Sequence, residues 1–385
     1  MPRRIACALL GCAALAGSSA WGASLLQVYD PAAAPMESGA LVLHAGAFAA
    51  DDMVPLRRVT SSTWPADYRT RAGTNVALAD ARVDLGAVDH GVQVGVFYRQ
   101  DWLARANRDT VDAYVLNQRD ALASQDRSYV LDERLRGFAA RGVRVGYSRA
   151  LALAGGGLRV GASLSLLQAT RLLDDTAQGA LLTAGGSGTL SGQRTRWDSA
   201  AQPVASSSSF NAFVPPAAQG VPTGQGWGVD LGADWRRGRY ALRVAADDLG
   251  ARIHWSSMPM IVQDIAGLSV PYTDPTGSPA VSGVNVYRPY TLRLDPKYHA
   301  AASVALARAT VVASVDAQAG CVLPQLALRG AVAPGWDGEI GYESRFGSVG
   351  VALRHQHFEL ALRSDRLALS DSRALGLSVD WSARF

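Results

Sequence analysis

The sequence predicts an all-β fold: a transmembrane antiparallel β-barrel of about fourteen strands, with long loops at one end. Three observations carry this. Leu375, Leu377, Val379, Trp381, Ala383 and Phe385 share one face of the final stretch, while Gly376, Ser378, Asp380, Ser382 and Arg384 share the other. The chain therefore ends in a strand with one apolar and one polar surface. The same period-two pattern recurs through the chain between turn residues. No segment offers the ~18 consecutive apolar residues that a membrane helix requires, so a crossing here has to be made by strands.

Taken in order, residues 1–23 read as a secretory signal. Arg3 and Arg4 precede an apolar run from Ile5 to Gly17 and the small residues Ser18, Ser19 and Ala20, with cleavage expected between 20 and 23. A rival lipobox at Leu9-Leu10-Gly11-Cys12 has too short an apolar run before the cysteine. Residues 24–38 start apolar, end in Pro-rich coil, and form a segment suited to enter the barrel lumen. The barrel is expected over 39–385, with a first strand over Gly39–Phe48 and a loop over 49–74. Ala77 to Ala87 and Val92 to Tyr98 form a hairpin around Asp89-His90-Gly91. Residues 100–136 are rich in Asp and Arg, read as a loop, and suit short helices around Val111–Leu122. Strands resume at Val143–Tyr147 and Leu158–Leu166, joined by a turn over Leu151–Gly157. Residues 171–225, with Ser206–Ser209 and Pro215-Pro216, read as a long flexible loop.

Trp227 to Trp235 and Tyr240 to Ala246 flank the turn Arg236-Arg237-Gly238, and 256–288 reads as a further Pro-punctuated loop. Tyr290, Leu292, Leu294, Tyr298, Ala300, Ala302, Val304 and Leu306 keep one parity through Pro296, which predicts one long strand with a kink. Strands near 309–317, 325–333, 339–346, 348–356, 358–369 and 373–385 complete the set. The phase slip between Leu362 and Leu367 calls for a bulge.

The strand count allows a test of topology. If Phe385 lies at the periplasmic end, the walk back through the strands places 256–288, 171–225, 100–136 and 49–74 at the opposite, external end. The connections at 356–357, 334–338, 307–308, 236–238, 150–156 and 89–90 fall at the periplasmic end, and all are short. That division of loop lengths is the one outer-membrane barrels show. A terminal Phe after such a strand resembles the C-terminal signal that these barrels present to their assembly machinery, which makes Trp381 and Phe385 the candidate assembly signal.

The 385 residues hold 39 Gly, 3 Cys, 37 Lys+Arg and 33 Asp+Glu. Losing Arg3 and Arg4 with the leader takes the basic count to 35 and the net charge from +4 to +2, too small for a nucleic-acid footprint. Cys7 and Cys12 leave with the leader, so Cys321 has no intrachain partner for a disulfide.

Charges in phase opposite the apolar face are expected to line the lumen, because charge in lipid is costly. The candidates are Asp80, Arg82, Asp84, Arg159, Asp230, Asp234, Arg243, Asp316, Arg329, Glu343, Arg345 and Asp380, joined by Arg144, Glu339, Arg354 and Arg363. Both signs are mixed, which suits structural pairing more than conduction. Trp227, Trp235, Tyr240, Tyr290, Tyr342, Phe346 and Trp381 lie near strand ends on the apolar phase, where aromatic girdles sit.

From about Gly137 onward, the order of segments GFAARGVRVGYSRAL, GLRVGASLSLLQATRLLDDT, GWGVDLGADWRRGRYALRVAADDLG and LRLDPKYHAAASVALARATVVASVDAQ resembles the conjugal-transfer TraF-like barrels of the FadL superfamily. The resemblance covers about two-thirds of the chain. It implies a barrel with its early segment as a plug, and exit of hydrophobic compounds sideways through the wall. The Gly-Gly-Ala-Gly and Asn-Pro-Ala stretches of that superfamily are absent, and Asp30-Pro31-Ala32 is the nearest remnant.

Chemistry is sparse. His254-Trp255-Ser256 is the nearest approach to a hydrolytic pair, without an oxyanion motif. His355 and His357 share a face but offer only two metal ligands. Gly155-Gly156-Gly157 joins strands and precedes no helix, so it is a turn and not a phosphate loop. The expectation is a non-enzymatic barrel without cofactor or metal. Its partners are outer-membrane lipid, the barrel-assembly machinery and a small-molecule ligand, with no nucleic acid. It is exported by the Sec route to the cell outer membrane. Passive transport of small, hydrophobic compounds leads. A conjugation- or surface-assembly barrel acting through its loops follows, and a rim hydrolase comes last.

Overall fold

The computed structural model describes residues 24–33, 39–59, 64, 68–122, 124–153, 156–200, 221–270 and 281–384. The signal segment, the lipobox rival and Phe385 lie outside the described residues. The strands are β1 (Ala40–Asp51), β2 (Asn75–Asp89), β3 (Val92–Ala106), β4 (Arg127–Leu153), β5 (Gly156–Ala184), β6 (Ser187–Asp198), β7 (Gly224–Arg237) and β8 (Tyr240–Val270). They continue as β9 (Val281–Arg293), β10 (Lys297–Ala305), β11 (Thr310–Gln318), β12 (Cys321–Ala333), β13 (Trp336–Glu343), β14 (Ser348–His355), β15 (Phe358–Ser364) and β16 (Ala374–Arg384). Among the described residues one α-helix, α1 (Arg108–Gln118), sits between β3 and β4.

All pairings are antiparallel, and fourteen strands close a ring. β16 pairs with β1, from Arg384 opposite Ala40 to Ala374 opposite Ala50, so the terminal strand has no free edge. β5 pairs with β7, and β8 with β10, which leaves β6 and β9 outside the ring. These two extend the tall strands β5 and β8 beyond the barrel at one end: β6 pairs with the far half of β5, and β9 with the far half of β8. β9 and β10 both pair with β8 on either side of Leu294–Pro296, so they form the single kinked strand that the unbroken parity predicts.

The short connections after β2, β4, β7, β10, β12 and β14 all lie at the end that holds Ala40 and Arg384. The described parts of 52–74 and 107–126, the β5/β6 tip, the far end of β8 and the start of β9 lie at the other. At that end α1 is capped by Asn107, whose side chain accepts from Thr110 N at 2.8 Å. Val111 and Val115 pack on Met53 and Val54 from the preceding loop. Tyr68 donates to Asp112 at 3.1 Å, and burial beside that carboxylate pushes its hydroxyl pKa up.

Several boundaries expected from the sequence are corrected. β5 continues to Ala184 and β6 occupies Ser187–Asp198, where the sequence predicts a flexible loop from 171; residues 201–220 lie outside the described residues. β8 reaches Val270 and β9 begins at Val281, within the expected 256–288 loop. β3 continues to Ala106 and β4 starts at Arg127, so the 100–136 loop shrinks from both sides. β1 likewise runs on to Asp51. These extensions stand above the apolar belt, where the outer face no longer has to be apolar and strict alternation is not required. Cross-strand polar pairs hold them instead, such as Arg194 on Asp175 at 2.5 Å across β5 and β6.

The bulge expected between Leu362 and Leu367 is absent. β15 stops at Ser364, and the Asp365 carboxylate then accepts from Arg373 N at 2.8 Å and Ala374 N at 3.0 Å, turning the chain into β16. Bulges do occur in β8 against β7, between Trp227 and Val229 and between Val229 and Leu231.

The outer face is apolar. Val94, Val96, Val145, Leu166, Leu242, Val244, Leu326 and Ile340 are all exposed, while their neighbours in sequence point inward. A band of this size facing water would be an association surface. Trp227, Tyr240 and Tyr342 stand on it. Tyr290 and Phe346 do not. Tyr290 packs against Trp197 and Trp255 with its hydroxyl on Asp174 at 2.6 Å, and Phe346 packs edge-on against Phe48.

Candidate functional site: the charged lumen and the segment inside it

Alternation puts every second side chain of each wall strand into the lumen. Asp80, Arg82 and Asp84 enter from β2, Arg144 from β4, Asp230 from β7, and all are buried or nearly so. Arg82 donates to Asp84 at 2.7 Å and to Asp247 at 2.6 Å. Arg144 donates to Asp84 at 2.6 Å and to Ser165 at 3.1 Å, with Asp230 at 3.3 Å. Arg99 holds Asp248 through two bonds of 2.6 and 2.8 Å and Asp101 through one of 2.7 Å. Lys297 pairs with Asp80 and Asp101 together.

Five of the residues proposed from sequence thus fall into one central network: Asp80, Arg82, Asp84, Arg144 and Asp230. Arg99, Asp101, Asp247, Asp248 and Lys297 complete it, and sequence reasoning misses them. The first two lie beyond the point where the sequence predicts the end of β3. Asp247 and Asp248 both face inward because of the β8 bulge, where Asp248 takes a φ of 64°. A signal for Lys297 exists in the composition, since it is the only lysine.

The remaining proposed residues are distributed differently. Arg243 pairs with Asp30, and Arg159 donates to Ala32 O at 3.3 Å. Asp316 accepts from Ser24 at 2.6 Å and Leu25 N at 3.1 Å, with His299 at 2.9 Å. Asp380 meets His44 at 2.8 Å across β16 and β1. Arg329 with Glu339, at 2.6 Å, is a local rung between β12 and β13. Asp234 is held by Arg236 at 2.7 Å near the turn end. Glu343 accepts from Phe346 N at 3.0 Å and Ser348 at 3.3 Å, capping the β13/β14 turn. Arg345 lies in that turn and not on a strand, paired with Asp52 at 2.6 Å. Trp381 is on β16 opposite Leu43 of β1.

The N-terminal segment, residues 24–33, bonds to β1, β2, β3, β5, β8 and β11, which sets it inside the lumen. Tyr29 donates to Gln93 at 2.6 Å, and its ring lies 3.7 Å from the Arg144 guanidinium carbon. Gln93 donates in turn to Pro31 O at 2.7 Å, and Gln27 meets His44 at 2.8 Å. The wall is carved to receive it. A Cβ on Gly46 would lie 1.9 Å from Gln27 Oε1, one on Gly232 1.9 Å from Asp30 Oδ1, and one on Gly161 2.6 Å from Pro31 C. Asp30-Pro31-Ala32 is therefore the seated part of the segment.

Beyond this network, toward the end with the long loops, the lumen turns apolar. Phe97, Phe138, Leu167, Leu172, Ile253, Trp255, Met258 and Leu292 form one buried cluster, with Arg99 5.1 Å from the Phe138 ring centre at its floor. Asp230, Asp247 and Asp248 have the spacing of a cation site. Their oxygens already accept from Ser163, Arg82 and Arg99, so the donor set is satisfied by protein. The hydrolytic constellation is not assembled: His254 faces outward on Thr291 at 3.0 Å, while Trp255 points in. His355 stacks on Trp336.

The chain is a closed fourteen-stranded antiparallel β-barrel of the outer-membrane type, with a polar lumen and a segment of its own chain inside. No family model matches it, and no curated protein matches it in sequence. Among solved structures it is similar to the P. putida toluene transporter TodX, at 11% identity over 96% of each chain with a TM-score of 0.46. It is also similar to the TodX deltaS2S3 mutant monoaromatic hydrocarbon channel, at 11% identity over 97% of this chain and 96% of that one (TM-score 0.48). The CymD monoaromatic hydrocarbon channel matches at 12% identity over 95% and 93% (TM-score 0.31). The assignment of the fold rests on this chain's own strand pairing.

Proposed function

We propose that this chain is a passive transport barrel of the outer membrane for small hydrophobic compounds. The apolar cluster inside an otherwise charged lumen carries the proposal. A purely structural plug is served by ion pairs and glycine seats, whereas the contiguous apolar side chains of Phe97, Phe138, Ile253, Trp255 and Leu292 suit the passage of an apolar guest. Export by the Sec route and assembly through the terminal strand, with Trp381 and Phe385, bring it to that membrane. The TraF-like order of segments supports this architecture. A second reading, a conjugation- or surface-assembly barrel working through its loops, is favoured by how completely the N-terminal segment is tied into the lumen.

Uptake of radiolabelled toluene by cells with and without the barrel tests the first reading. The barrel is expected to speed uptake, and Ile253→Asp, which puts a carboxylate into the cluster, to abolish the gain while folded protein persists. Equal uptake with and without the barrel overturns the transport reading. Orientation has its own check. Protease added to intact cells is expected to cut within 199–223 before it reaches Arg236-Arg237. Prior cutting at Arg236-Arg237 inverts the topology.

A further inference from the structure

The lumen is filled unevenly. The ion-paired network crowds the side from β2 round to β8. On the side from β12 round to β1 several inward positions are small, among them Gly341, Gly350, Ala352, Ala361 and Gly376. Between this wall and Ser24, Leu25 and Gln27 a cavity of about 50 Å³ remains. At the ~10–15 Å³ that one water needs, it holds a few waters or one small ion.

Arg363 of β15 lines this cavity. Its guanidinium lies across a glycine floor: a Cβ on Gly350 would come within 2.8 Å of Nη2 and 2.9 Å of Cζ. Arg82, Arg99, Arg144, Lys297, Arg329 and Arg354 each pair with a carboxylate. Arg363 forms no ion pair with a carboxylate among the described residues. It donates to neutral acceptors only, Gln325 Oε1 at 3.0 Å, Ser348 O at 3.4 Å and Ser348 Oγ at 3.5 Å. The acids nearby are engaged elsewhere. Glu343 takes Phe346 N and Ser348, Glu339 takes Arg329, and Asp316 takes Ser24, Leu25 N and Gln325.

We propose that Arg363 holds a small inorganic anion, of halide or nitrate size, in this cavity. A half-buried guanidinium has five donors in a fork and favours an ionised acceptor over long bonds to neutral oxygens. The cavity opens beside it, and the absence of a side chain at Gly350 lets the fork lie flat along the wall. The acidic surroundings oppose the anion, so the site selects for small size and single charge.

The alternative is that Arg363 only straps β12 to β14 through Gln325 and Ser348. Chlorine NMR line widths of the mature barrel, folded in zwitterionic detergent, separate the two. The wild type is expected to show saturable broadening by chloride that nitrate displaces. Arg363→Gln is expected to lose the saturable part. Gly350→Ala keeps the charge but drives a methyl against the guanidinium, and is expected to weaken binding about tenfold, the worth of one charge-assisted hydrogen bond. Heat-modifiable migration verifies folding of each variant. Broadening in Arg363→Gln equal to wild type, or no saturable broadening in the wild type, overturns the proposal. If Arg363→Gln does not fold, wild type against Gly350→Ala decides, and equal half-saturation in those two overturns it.

Discussion

Lys297→Met is expected to lower the stability of the folded barrel by about 3–5 kcal/mol, the usual cost of removing one partner from a buried ion pair. Lys297 is 1% exposed, and its ammonium serves Asp80 and Asp101, themselves buried. Methionine fills much the same volume, so packing changes little and the two stranded carboxylates dominate. Adding Asp80→Asn and Asp101→Asn to Lys297→Met is expected to recover most of the loss, because no uncompensated charge then remains. Urea unfolding in lipid vesicles measures both. A loss below about 1 kcal/mol for the single variant, the range of solvent-exposed pairs, would show that water screens the network.

Leu231→Arg is expected to cost roughly 2–4 kcal/mol of barrel stability if the residue sits near the bilayer midplane. Leu231 is exposed on the outer face of β7, opposite Ala246 of β8, and an arginine there has only lipid to meet. Gly232→Arg, one residue on, points the other way. Its Cβ already falls on Asp30 and 3.1 Å from Ala32 N, so the side chain unseats the N-terminal segment. That variant is expected to insert but to leak, seen as raised conductance in planar bilayers. Leu231→Ala controls for lost packing. Equal destabilisation by the two arginines would argue against lipid/lumen alternation in this strand.

Much of this architecture is legible in the residues. Within the belt each strand has an exposed apolar face on one side and a charged lumen on the other, so apolar and polar positions alternate. Trp227–Trp235 and Leu375–Phe385 announce themselves for that reason. The same pressure carries parity through Pro296 and lets the walk from Phe385 sort long connections from short ones. Outside the belt the pressure is gone. Ser187–Asp198 and Val281–Arg288 pair as strands without an apolar face, and so read as loop.

The residues alone establish a barrel, its strand count, its two unlike ends and the inward direction of its charges, because a period of two leaves only one face for each residue. Which charges meet is set only once the chain has folded. Lys297 reaches Asp80 and Asp101 across the lumen, and Arg82 reaches Asp247, through separations in sequence of 217, 196 and 165 residues. Only ring closure sets those distances. The seat of Asp30-Pro31-Ala32 likewise depends on Gly46, Gly161 and Gly232 arriving round one space from three strands, and the second inward acid at Asp248 depends on a bulge that β7 imposes on β8. Direction is a local property of a strand, while contact across a barrel belongs to its closure.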